Sequence, residues 1–224
     1  MQICRWDEVG LAVLAARHQN APFACVINWE APDAGHGDGR TGPIPCDTPQ
    51  LVLKAYDVET MGEPCAPTVG QVADGLAFSR RYAGASGRVL VSCYAGVARS
   101  TALALGIIAE RLGPGAEEAA LERLLKIRPQ AAPNILIVRH IDLLLRRSGA
   151  LENAVLSDSA VAGRRAAQVM VGVVLMLVLA ALLEGFGRQL IDSTTTRLAI
   201  GGAMLALWNA YFFAYRPARA RVGG

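Results

Sequence analysis

Apolar and polar positions change rhythm repeatedly along the first 150 residues. "QICRW" (2–6) reads as a short strand, and "DEVGLAVLAARH" (7–18) switches to helical spacing with Asp7 near its start. "FACVINW" (23–29) is an unbroken apolar run of strand length. "QLVLKAY" (50–56) alternates like a strand, and "TVGQVADGLAFSRRYA" (68–83) is helical with Thr68 as its N-cap. "RVLVS" (88–92) is another apolar strand, followed by the apolar-rich helix "RSTALALGIIAERL" (99–112). Two more helical patterns, "GAEEAALERLLKI" (115–127) and "PNILIVRHIDLLLRRSG" (133–149), are broken by "RPQAAP". Residues 31–49, rich in Gly and Pro, form a loop by every turn signal. Strands separated by helices predict an α/β domain over 1–150, with a mainly parallel sheet flanked by helices on both faces.

Beyond residue 150 the pattern changes. Residues 151–163 are small and polar, as in a linker or a frayed helix. Within 164–224, "AAQVMVGVVLMLVLAALL" (166–183) has Gln168 as its one strongly polar residue, and "LAIGGAMLALWNAYFFAY" (198–215) is interrupted only by Asn209. As helices, over about 166–184 and 198–215, each rises roughly 27 Å, close to the hydrocarbon thickness of a bilayer. They predict a C-terminal two-helix transmembrane hairpin; the alternative is a buried hairpin completing a soluble core. Arg164, Arg165, Arg216, Arg219 and Arg221 flank the two segments on the side of the termini, while Arg188 and Arg197 lie in the connecting loop with Glu184 and Asp192. Five against two places both termini and the first domain in the cytoplasm, with the hairpin in the inner (cytoplasmic) membrane. Trp208, Tyr211 and Tyr215 suit an interfacial aromatic belt. Gly202, Ala206, Ala210 and Ala214 form a small-residue stripe fit for helix–helix association.

Composition adds limits rather than identity. The hydrophobic share is 53% and the mean hydropathy is +0.32, which the hairpin explains. Net charge is +3, with basic residues dispersed along the chain, so nucleic acid is not an expected partner. The cysteines, Cys4, Cys25, Cys46, Cys65 and Cys93, are odd in number and contain no CxxC pair. That argues against a disulfide framework and against zinc, and suits a reducing compartment. The start of the chain, acidic at Asp7 and Glu8, does not read as a signal peptide.

The chemistry concentrates in "VLVSCYAGVARST" (89–101). A cysteine just after a buried strand, on a glycine-containing turn into a helix, sits where backbone N–H groups converge on an anion. Such an electropositive setting favours a thiolate over a thiol. Cys93 is the candidate nucleophile, with Tyr94, Ala95, Gly96, Val97 and Ala98 as the cradle. Arg99 would grip two oxygens with its planar fork, and Ser100 would donate to the sulfur as it leaves. The ligand of such a site is a phosphate ester.

This stretch resembles the phosphate-binding loop of the cysteine-dependent protein tyrosine and dual-specificity phosphatases, whose pattern is Cys, five residues, Arg, then Ser or Thr. "CYAGVARST" matches the compact bacterial members more widely, and "IRPQAAPN" (127–134) is similar to the connection they place between their last two helices. "LVLKAYDVET" (51–60) looks like the strand and loop that carry their general acid. The resemblance spans about residues 50–148 and stops short of the hydrophobic tail. It implies that Asp57 protonates the leaving group and then activates water, with Glu59, Glu63 and more remotely Asp47 as alternatives. One departure stands out: the family's usual histidine before the nucleophile is Ser92 here. That puts the tuning of the nucleophile and the pH optimum in question, although a serine hydroxyl can still bond loop backbone.

The reading that follows is a membrane-anchored phosphomonoester hydrolase, a protein tyrosine or dual-specificity phosphatase acting through a phosphocysteine without metal or other cofactor. The rivals are a phospho-ligand-binding module of the same fold with little turnover, and a thiol-based sulfurtransferase or arsenate reductase. His36 and Asp38 read as solvated loop residues rather than metal ligands, and His18 and His140 as surface or satisfied core residues. The resemblance raises Cys65 or Cys46 as a disulfide partner for Cys93, with the role of spectator preferred.

Overall fold

A computed structural model describes residues 1–33, 47–83, 87–185, 191 and 193–211. The chain divides into two compact units, Met1–Ser159 and Ala160–Gly224.

In the first unit four strands are each followed by helix or loop. They are β1 (Gln2–Arg5), β2 (Cys25–Glu30), β3 (Gln50–Lys54) and β4 (Val89–Cys93). The helices are α1 (Val9–His18), α2 (Val69–Ala83), α3 (Arg99–Leu112), α4 (Glu117–Ile127), α5 (Ile135–Leu145) and the start of α6 (Ala150–Gly185). Every strand pairing is parallel and the order is β1-β4-β2-β3. The sheet is thus the predicted α/β arrangement, with β4 inserted between the first two strands.

Both central strands are buried along their whole length, which is why their sequences are nearly unbroken apolar runs. One face of the sheet is closed by α1 through Val9, Val13 and Ala16 against Cys4, Val26 and Leu90. The other face carries Ile27, Trp29, Val89 and Val91 and packs on α2 and α3, against which α4 and α5 pack in turn. Helix α3 is the centre of that layer, buried from Arg99 to Ala109. Gly106 allows α5 to approach it closely, because a Cβ there would lie 2.7 Å from Ile141 Cδ1. Thr68 caps α2 as predicted, accepting from Gln71 N at 3.2 Å. His140 is a satisfied core residue: its Nε2 lies 3.0 Å from the Pro67 carbonyl.

The segment read as a linker or a frayed helix, 151–163, is helical, and α6 runs through it without a break. Its first turn belongs to the core, since Leu151, Ala154 and Val155 are buried with the α2–α5 layer. Asp142 of α5 fixes that turn by accepting from Leu151 N at 3.2 Å and Glu152 N at 2.7 Å. A carboxylate on unpaired N-terminal amides is a cap, and it starts the helix where composition alone suggested a flexible stretch.

In the second unit the remainder of α6 and helix α7 (Thr194–Asn209) are apolar and exposed. Among the described residues α6 is the one helix long and apolar enough to cross a membrane, with a window of mean hydropathy 2.6 of which 6% is buried. The Tyr211 hydroxyl donates to the Gln168 carbonyl at 2.9 Å, and the ring occupies the space that a Cβ on Gly172 would need. Tyr211 therefore makes a helix–helix contact, beyond any belt role. The small-residue stripe is not used in that contact: Gly202 has open space beside it, and Ala206 and Ala210 are exposed. Ala214, Tyr215, Arg188, Asp192, Arg216, Arg219 and Arg221 lie outside the described residues.

Candidate active site

The site forms at the carboxyl ends of the parallel strands, where open α/β sheets place ligands. Cys93 is the last residue of β4 and is 2% exposed. Its Sγ lies 3.1 Å from Ser100 Oγ in the first turn of α3. Residues 94–98 cross between them, and Gly96 turns the chain with φ +66°. A Cβ at Gly96 would fall 2.8 Å from the backbone C and O of Cys4. Gly96→Ala is accordingly expected to cost more than the roughly 1–2 kcal/mol of a left-handed alanine and to lower both melting temperature and phosphate affinity. Wild-type values for both would refute the close-packed turn.

The loop is held from outside by its carbonyl groups. Arg128 donates from Nε to Gly96 O at 3.0 Å and from Nη2 to Ala95 O at 3.4 Å. Ala132 N donates to Val97 O at 3.0 Å and Asn134 N to Ala98 O at 3.3 Å. The Thr101 hydroxyl donates to both Val97 O and Ala98 O. In a trans peptide the N–H points away from the C=O. Four outward carbonyls therefore turn the amides of Gly96, Val97, Ala98 and Arg99 to the opposite side, which is the anion-binding arrangement.

Arg99 opens α3 and is 6% exposed. Its Nη1 donates to the carbonyls of Ala55 at 2.5 Å and Glu30 at 3.2 Å, at the ends of β3 and β2. Its Nε is buried and has no hydrogen-bond partner among the described residues. A guanidinium N–H without an acceptor is costly unless a ligand oxygen supplies one.

Asp57 is exposed on the loop after β3, and its Oδ1 accepts from Asn134 Nδ2 at 2.8 Å. The same Nδ2 donates to Val58 O at 3.0 Å, while Asn134 Oδ1 caps α5 by accepting from Ile137 N at 3.1 Å. Asn134 thus ties the loop of Asp57 to the Cys93 loop, through its backbone bond to Ala98. Glu59 and Glu63 are exposed on that loop as well, whereas Asp47 pairs with Arg17 at 3.3 Å. Segment 127–134 was legible as a motif, but the clamp made by Arg128 and the tie made by Asn134 were not.

Ser92 departs from expectation. Its hydroxyl donates to Asn28 Oδ1 at 2.9 Å rather than to loop backbone. Burial pushes the Cys4 thiol up to about 12, helped by Glu8, and the Cys25 thiol to about 11, so neither is a nucleophile at neutral pH. Cys93 and Cys65 are both free thiols, Cys65 exposed. Cys46, His36 and Asp38 lie outside the described residues.

No family model matches the sequence, and no curated protein matches it. Solved structures do. The human tyrosine phosphatase-like serine/threonine/tyrosine-interacting protein is 17% identical, with a TM-score of 0.50 over 63% of this chain and 88% of its own. The chain has the fold of the cysteine-dependent tyrosine and dual-specificity phosphatases. Human DUSP28 is also similar, at 17% identity and a TM-score of 0.49 over 66% of this chain and 89% of its own. The likeness speaks for the architecture alone.

Proposed function

We propose that the protein hydrolyses phosphate monoesters, on phosphorylated protein or another phosphorylated substrate, through a phosphocysteine intermediate. The observation that carries this reading is the buried Arg99 Nε, without a partner among the described residues, at the end of a loop that begins at the buried Cys93. The carbonyls of that loop at Ala95, Gly96, Val97 and Ala98 are held by other groups. Arg99 and the loop amides bind the phosphoryl oxygens. The Cys93 thiolate attacks phosphorus, the ester P–O bond breaks, and Asp57 gives its proton to the departing oxygen. Asp57, now a carboxylate, takes a proton from water as that water attacks the phosphocysteine. The P–S bond breaks, Ser100 donates a hydrogen bond to the released thiolate, and inorganic phosphate leaves. Rapid-quench trapping of a Cys93-linked phosphoryl group tests the pathway. Stoichiometric phosphate binding without turnover would instead mark a phospho-ligand-binding module.

If Asp57 is the acid, Asp57→Asn slows an alkyl phosphate about 10²–10⁴-fold and an activated aryl phosphate far less. Asn134→Ala is expected to show the same leaving-group dependence in weaker form, because Asp57 loses its donor. Equal slowing of both substrates by Asp57→Asn would move the role to Glu59 or Glu63.

We further propose that α6 and α7 form a membrane hairpin, with the catalytic unit and both termini in the cytoplasm. The support is the apolar exposure of both helices, including Leu175, Leu177, Leu205 and Leu207, together with the arginine distribution of the sequence.

A further inference from the structure

On the sheet face covered by α1, strands β2 and β4 change character toward the site. Val26 and Leu90 are register partners and pack with Cys4 as apolar residues. One level further on, the partners are Asn28 and Ser92. Ser92 is fully buried, and Asn28 and Glu30 are each 4% exposed. The Ser92 hydroxyl donates to Asn28 Oδ1 at 2.9 Å, and Asn28 Nδ2 donates to Glu30 Oε1 at 2.8 Å. The Asn28 amide thus faces Glu30 with its NH₂ and Ser92 with its oxygen. Glu30 closes the circuit through its own backbone, since its carbonyl is one of the two that hold Arg99 Nη1.

Residues on a strand alternate faces, so Ser92 points away from the Cys93 pocket and acts on the nucleophile only through the β4 backbone. We propose that Asn28 and Glu30 are positioning residues that, through Ser92, fix the height of Cys93 relative to Arg99. The proposal rests on Cys93 being the nucleophile. Three buried polar side chains are costly in a sheet unless each is paired, and here the pairing runs from the residue before the thiol to the residue that anchors the guanidinium. With the relay cut, β4 is free to shift at its end while the loop and Arg99 still hold phosphate. The loss then falls on the chemical step, where a displacement of about 1 Å costs on the order of 10²-fold.

The test uses the full chain in detergent with an aryl phosphate, following kcat, KM and the thermal midpoint. Ser92→Ala and Asn28→Leu are each expected to lower kcat by about 10–10²-fold with KM changed less than about twofold. The double variant should be no worse than the weaker single, because both cut the same relay. Glu30→Gln keeps an acceptor for Asn28 and should retain most of kcat, whereas Glu30→Leu should resemble Asn28→Leu. Should Asn28→Leu fail to fold, Ser92→Ala, the smallest change, with the two Glu30 variants decides the matter. Wild-type kcat in Ser92→Ala, multiplying losses in the double variant, or a raised KM at constant kcat would overturn the relay while leaving Cys93 as nucleophile. Absence of Cys93-dependent turnover in the unmodified chain would overturn the hydrolase reading and the relay with it.

Discussion

Cys93→Ser is expected to abolish turnover while phosphate still binds, and Arg99→Ala to lose both. The serine hydroxyl is a poor nucleophile at neutral pH, so the covalent step fails, with a loss on the order of 10⁴–10⁶-fold. The cradle is untouched, because its carbonyls are held by Arg128, Ala132, Asn134 and Thr101 rather than by the sulfur. Arg99→Ala removes the buried Nε available to the anion, and it also strips Nη1 from the carbonyls of Glu30 and Ala55. The Glu30 carbonyl keeps Ala55 N as a donor at 3.0 Å, but the Ala55 carbonyl loses Nη1, which lowers stability as well as affinity. The melting temperature should therefore fall for Arg99→Ala and hold for Cys93→Ser. Calorimetry with inorganic phosphate or vanadate separates the two. Activity above a tenth of wild type in Cys93→Ser would rule out thiolate catalysis.

The full chain is expected to remain with membranes through high salt and alkaline carbonate and to yield only to detergent. Only 6% of the most apolar window of α6 is buried within the protein. So much exposed hydrocarbon in a contiguous surface exceeds what soluble monomers carry. The place of truncation then decides whether the catalytic unit survives. A chain ending at Ser159 keeps the compact unit whole and should be soluble and active. A chain ending at Gly149 loses Leu151, Ala154 and Val155 from the core and leaves the buried Asp142 carboxylate without Leu151 N and Glu152 N. Losing one buried leucine costs about 2–5 kcal/mol, a large share of the roughly 5–15 kcal/mol that holds a domain together. That fragment should unfold or aggregate. Recovery of the intact chain in a detergent-free supernatant would defeat the membrane reading, and an active 1–149 fragment would defeat the boundary.

Helical spacing, the alternation of β3 and the unbroken apolar runs of β2 and β4 were enough to place β1 to β4 and α1 to α5, because buried faces and fully buried strands repeat their apolar side chains. The nucleophile, cradle and arginine were legible for a related reason: Cys93 to Ser100 are contiguous, and a strand, a glycine turn and a helix are local structure. Strand order was not legible. Nothing local in "RVLVS" says that β4 enters between β1 and β2, yet that insertion brings Asn28 beside Ser92 and the Glu30 carbonyl to Arg99. Arg128 and Asn134 stood in a recognisable segment, but their bonds reach back 32 residues to Gly96 and 77 residues to Asp57. Such partners are chosen by packing, since an amide or guanidinium carries no periodic signature. The start of α6 shows the same division. Its small polar residues gave no reason for a stable helix, and it was the Asp142 cap and the burial of Leu151 against the finished core that supplied one.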